Sequence, residues 1–141
     1  MKRFASLVEK LDSTNKTNDK VAALTHYFEK APKKDALWAV ALLSHRRPPR
    51  PVSTNLMRSW AAEQAQLPEW LFEESYHIVG DLAETIALLL NKDTNIMPPS
   101  LSQCILEIIA LKNKDEKEKK IYIVEQWKSL NKFERFVFNK I

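Results

Sequence analysis

One glycine in 141 residues, Gly80, is the tightest constraint this sequence carries. Phosphate-cradling loops and dinucleotide turns need several glycines close together, where backbone must approach a ligand without a Cβ in the way, so neither can be written here. Tight β-hairpins draw on Asn-Gly, Asp-Gly or Gly-Gly pairs, and the chain has none. Seven prolines punctuate it instead. The expected fold class is all-α.

Apolar spacing agrees with that class. Phe4, Leu7, Val8 and Leu11 recur at helical intervals and predict a first helix over residues 2–11. The polar run DSTNKTND, Asp12 to Asp19, breaks it, because these side chains compete with helical backbone for hydrogen bonds. Thr17 or Asn18 is placed to cap a second helix reaching about Ala31, with Val21, Leu24, Tyr27, Phe28 and Ala31 inward. A third helix, Lys33 to Leu43, contains ALWAVALL, apolar nearly all round, which predicts a position in the middle of the bundle. Ser53 or Thr54 can cap a fourth carrying Leu56, Met57, Trp60 and Ala61. Pro68 suits the first turn of a fifth through Trp70, Leu71, Ile78 and Val79.

Gly80 followed by Asp81, with Glu84 at the capping-box position, reads as a left-handed helix stop and an immediate restart over 82–90. NKDTNIMPPS predicts a loop, after which Ser100 or Ser102 opens a seventh helix with Leu101, Ile105, Ile108 and Ile109 inward. KNKDEKEKK reads as a solvated helix end or linker. An eighth helix runs through Ile121, Val124 and Trp127, and Asn131 with Glu134 boxes the start of a ninth. The sum is a single compact bundle of eight to nine short helices, with consecutive helices packed antiparallel.

Composition narrows function mainly by exclusion. A lone cysteine, Cys104, allows neither an internal disulfide nor a cysteine zinc cluster, and reads as a small buried residue in a reducing compartment. No apolar run approaches the roughly 18 residues of a membrane helix, and MKRFASLVEKLDS lacks a signal-peptide core, so a cytoplasmic protein without a membrane partner is expected. His26, His45 and His77 show no metal-ligand spacing. Glu73, Glu74, Asp81 and Glu84 are accounted for by surface solvation and capping, and no nucleophile has an evident partner. The expectation is no catalytic residue, no metal site and no cofactor in this chain.

Charge distribution says more than the net +4. Between Asp35 and Glu63 there is no carboxylate, yet Arg46, Arg47, Arg50 and Arg58 all fall there. From Glu63 to Glu84 the balance inverts, with Glu63, Glu69, Glu73, Glu74, Asp81 and Glu84 and neither Lys nor Arg. The molecule should carry a basic face and an acidic one.

SHRRPPRPVST, Ser44 to Thr54, is the candidate functional stretch. Guanidinium groups match phosphate oxygens with a planar fork of donors, and proline removes backbone freedom that binding would otherwise have to quench. Helix starts at Ser53-Thr54 and at Thr17-Asn18 add N–H groups and a favourable dipole for phosphate. Such contacts position a polyanion without reading its sequence. The alternative is a helical protein-interaction module with a basic loop, or a loop that is basic only for solubility.

The segments LDSTNKTNDKVAAL, WAVALLSHRRPPRPVST, WAAEQAQLPEWLFEESYHIVGDLAETIALLL and LNKFERFVFNKI closely resemble the N-terminal DNA-binding domain of bacterial ATP-dependent DNA ligases. The resemblance spans nearly the whole chain and is weakest over 91–120. It implies an all-helical domain that lies across the minor groove of duplex DNA near a nick and helps the catalytic domains encircle it. Carried over by position, Arg46, Arg47, Arg50, Ser53 and Thr54 would face phosphates; Lys16, Thr17, Asn18 and Lys20 match the family's polar loop; Gly80 and Asp81 match a turn that approaches DNA closely. The implied partners are duplex or nicked DNA and the ligase catalytic domains, in the cytoplasm and associated with the nucleoid. The implied parent activity is nick sealing in replication, repair or recombination.

Two departures accompany the resemblance. His45 stands where the family usually has glycine. The family also continues past the position of Ile141, through a further helical segment, into nucleotidyltransferase and OB-fold domains that use ATP and Mg2+, which implies that residues 1–141 are one helical domain cut short on its C-terminal side. The adenylated lysine of that family lies in a K-x-D-G motif, and the sole glycine here follows Val79. By itself the chain is therefore expected not to be an enzyme.

Overall fold

A computed structural model describes residues 1–91 and 99–141. Among them are nine α-helices and no strand: α1 (Lys2–Asp12), α2 (Thr17–Lys30), α3 (Lys33–Leu43), α4 (Thr54–Gln64), α5 (Glu69–Val79), α6 (Leu82–Leu89), α7 (Leu101–Ala110), α8 (Glu116–Ser129) and α9 (Lys132–Lys140). A short 3-10 turn, Leu111–Asn113, joins α7 to α8 where the lysine-rich run begins. Most of the NKDTNIMPPS loop lies outside the described residues.

The helix starts follow local side-chain chemistry. Ser53 Oγ accepts the Leu56 N–H at 3.3 Å, Asp81 the Glu84 N–H at 3.0 Å, Ser100 the Gln103 N–H at 3.2 Å, and Asp115 the Glu118 N–H at 2.8 Å. Asn131 and Glu134 form a full reciprocal box. Two expected caps differ. Lys16, not Thr17 or Asn18, is the cap residue of α2, with no side-chain capping bond; Thr14 Oγ1 instead accepts the Lys16 N–H at 3.1 Å in the preceding turn. Pro68 occupies the cap of α5 rather than its first turn.

Helix ends are equally specific. Gly80 takes φ +82 and its N–H donates to the Tyr76 carbonyl. His45 (φ 62) and Gln66 (φ 57) take the same left-handed conformation without being glycine. At both, the left-handed residue donates to one carbonyl and the next residue reaches one turn further back: His45 N–H to Leu42 and Arg46 N–H to Ala41, then Gln66 N–H to Glu63 and Leu67 N–H to Ala62. These are Schellman motifs, the usual habitat of glycine.

The core is built from Phe4, Leu7, Tyr27, Trp60, Phe72, Ile86, Leu101, Ile105, Trp127, Leu130 and Phe138, all buried. Burying each such side chain is worth about 2 kcal/mol. The most extensive helix pair, α6 on α9, is not consecutive in the chain, and α3 packs on α7; of the consecutive helices, α1 packs on α2, α4 on α5 and α5 on α6.

The inward facing expected for α3, for Val21 and Phe28 of α2 and for Ile109 of α7 is corrected. In α3 only Asp35 and Ala39 are buried, while Leu37 is 63% and Val40 52% exposed, so this helix lies at the surface and not in the middle of the bundle. In α5 the buried anchor is Phe72, and Trp70 (68%) and Ile78 (82%) face solvent with Val79. Val21, Phe28, Ile109 and Ile121 are also exposed.

A buried arginine within α9 joins the C-terminal ends of two other helices. Arg135, 1% exposed on α9, donates to the carbonyls of Trp127 and Leu130 at the end of α8 and of Ala87 and Leu90 at the end of α6, at 2.5 to 2.9 Å. Each helix ends with carbonyls that lack an intrahelical partner, and one guanidinium serves two such ends.

Candidate nucleic-acid interface

The Arg-Pro stretch leaves α3 through the Schellman turn at His45 and enters α4 through the Ser53 cap, so its direction is set at both ends by hydrogen bonds. Between them, Val52 is buried in the core and the Pro51 carbonyl accepts Lys119 Nζ of α8 at 2.8 Å. The prolines therefore act within an anchored segment, and the arginines project from a fixed base.

Arg46, Arg47 and Arg50 are all exposed. Among the described residues, none of the three guanidinium groups has a carboxylate or carbonyl partner. Arg58 differs. It pairs with Glu73 at 3.3 Å, bonds Asn55 Oδ1 and lies over the Tyr76 ring, which leaves it engaged within the protein.

Arg47 and Arg50 line one cleft of about 390 Å³ together with Thr54, Gly80, Asp81 and Lys140. Its floor is apolar, formed by Met57, Ile86, Ile108, Ile123 and Phe138. Two helix N-termini open on it, that of α4 at Thr54 and that of α6 at Leu82. Of the charged side chains lining it, Arg47, Arg50 and Lys140 are cationic and Asp81 alone is anionic. Lys140 Nζ holds Asp81 Oδ2 at 2.6 Å. Burial pushes the Asp81 carboxyl upward, but the hydrogen bonds from Lys140 and the Glu84 N–H together with the Lys140 charge outweigh it, and its pKa falls below the ordinary value. The cleft thus offers donors and positive potential to an anion, with its one carboxylate already engaged.

The expected site residues divide. Arg47, Arg50, Thr54, Gly80 and Asp81 come together, although 26 residues separate Thr54 from Gly80. Ser53 does not line it and serves as the cap of α4. Arg46 does not line this cleft and projects from the same loop. Lys16, Thr17, Asn18 and Lys20 are at the α1–α2 turn and line neither this cleft nor the neighbouring one, where Arg47 meets Asp12, Val8 and Leu43. A Cβ at Gly80 would meet nothing within 4 Å, so the glycine answers to its positive φ and not to crowding. Lys140 is a lining cation that sequence reasoning missed; its only signal was a lysine in the last turn of a helix.

No helix among the described residues is long and apolar enough to cross a membrane. The family model described as DNA ligase N terminus matches residues 1–141. No curated protein and no solved structure matches the chain.

Proposed function

Since the chain belongs to the family of DNA ligase N-terminal domains, we propose that it binds duplex DNA, nicked or intact, through backbone phosphates, with the Arg46–Arg50 loop and the cleft behind it as the contact surface. The observation that supports this most is the set of three exposed arginines with no partner among the described residues, on a loop tied down at both ends. A fixed cation cluster loses little freedom when it meets a regularly spaced anion. Two helix N-termini beside it add N–H donors aimed at the same region. The contact is independent of base sequence, because a phosphate reports position and not identity.

In the parent ligase this domain would hold the substrate while the other domains carry out sealing. No role for ATP or Mg2+ is proposed for this chain, since the K-x-D-G motif cannot be written around Gly80. The proposed role is confined to binding. The Lys16–Lys20 turn belongs to the proposal as a separate, second contact.

Titration against a nicked duplex at about 50 and about 200 mM salt tests the reading. The log–log slope should be about −0.9 per phosphate neutralised. An affinity indifferent to salt, or no binding at the lower concentration, rules it out.

A further inference from the structure

A helix apolar on all sides is normally enclosed, yet α3 is not. Its mean composition is that of a core element, and two of its aliphatic side chains, Leu37 and Val40, are more than half exposed. At 100° per residue, Lys33, Leu37, Val40 and Ser44 fall within an arc of about 60°, at intervals of four, three and four residues. Leu37 and Val40 are the aliphatic pair on that arc, with Lys33 before them and Ser44 after them, and an apolar pair at an interval of three is the unit that helix-packing seams repeat. Leu43, also exposed, borders it.

The ends of this seam are cationic. Lys33 and Lys34 lie exposed at the N-terminal end, and Arg46 and Arg47 follow the C-terminal end. Asp35, the one carboxylate of α3, is buried and accepts the Ser102 N–H at 2.8 Å, so it does not offset them. Asp12 lines the same cleft as Arg47 at the C-terminal end. A second copy of α3 would set like charges against each other in either orientation. A stripe this narrow also gives a lipid surface little to bury.

We propose that the exposed seam of α3 is a docking surface for an amphipathic α-helix of a partner protein, one with aliphatic side chains at matching intervals and carboxylates at both flanks. The seam geometry selects a helix, and the charge at both ends selects an acidic one. The docking surface shares Arg46 and Arg47 with the proposed DNA contact, but Leu37, Val40, Lys33 and Lys34 lie outside it, so the two readings can fail separately.

The probe is a synthetic helical peptide of about 15 residues with leucines at seam spacing and glutamates on its flanks, compared with the same peptide flanked by lysines. The full chain should bind the glutamate peptide at least about tenfold more tightly than the lysine peptide. Leu37→Ser/Val40→Ser should lower that affinity about tenfold or more, with the melting temperature and nicked-duplex binding unchanged. Lys33→Glu/Lys34→Glu, which leaves the apolar seam intact, should erase the preference between peptides. Equal binding of both peptides, or full binding by the Leu37/Val40 variant, overturns the proposal. So does tighter association with phosphatidylglycerol vesicles than with the peptide, or a dimer of the chain that the Leu37/Val40 variant dissolves.

Discussion

Lys140 Nζ donates to Asp81 Oδ2 at 2.6 Å across the mouth of the basic cleft, joining the last turn of α9 to the cap of α6. Asp81→Asn keeps a capping side chain and removes the charge. Because the folded-state pKa of Asp81 is depressed, its contribution is present above the unfolded value near 3.8 and is lost as pH falls through the lower folded value. The variant should therefore be less stable at pH 7, by under about 1 kcal/mol for a partly exposed pair. The gap to the parent should close below about pH 4 in urea melts recorded across pH.

Arg47→Ala/Arg50→Ala should weaken binding to a nicked duplex and flatten the salt dependence, by about 0.9 in slope for each phosphate that is no longer neutralised. Arg58→Ala, whose side chain is already engaged with Glu73 and Asn55, should change the slope little. None of the three arginines in the loop has a protein partner among the described residues, so their removal should leave the melting temperature unmoved. A slope that falls equally for Arg58→Ala would count against the assigned surface.

His45→Gly should stabilise the chain by about 1 kcal/mol, since a left-handed backbone at φ 62 is unfavourable for a residue with a Cβ. Gln66→Gly should act in the same direction. Gly80→Ala should destabilise by a similar amount through φ +82 alone, because the space around it is open. Chemical denaturation midpoints compare all three.

Arg135→Met should cost about 3 kcal/mol, because it strips donors from three buried carbonyls and one part-buried one while filling nearly the same volume. Arg135→Lys should recover only part, as an ammonium cannot span both helix ends with the fork of a guanidinium. Midpoints of urea unfolding give both values.

Cys104 is fully buried, and burial pushes its thiol up to about 12. It should not react with a thiol reagent in the native state and should label at the rate of unfolding. Rapid labelling under native conditions would show that α7 opens locally.

The all-α class and most helix limits were legible because caps and stops are written in adjacent residues: Ser53, Gly80, Asp81, and Asn131 with Glu134 each act within one turn. Facing was less legible. ALWAVALL gives no polar side from which to choose, and the packing of α3 on α7 decided it. The Arg135 bonds to Ala87 and Leu90 span 48 and 45 residues, beyond any local pattern. For the candidate site, residue types marked the Arg-Pro loop and the Gly80 turn separately. Their meeting in one cleft depends on the packing of α4, α5 and α6.

The placement of Arg135 bears on how the molecule comes apart. With a single side chain closing the ends of α6 and α8 from within α9, none of the three can fray inward without exposing the others' unpaired carbonyls. Amide protons of all three should then exchange with solvent through one shared opening event, at a common free energy, while α2 and the exposed face of α3 exchange earlier.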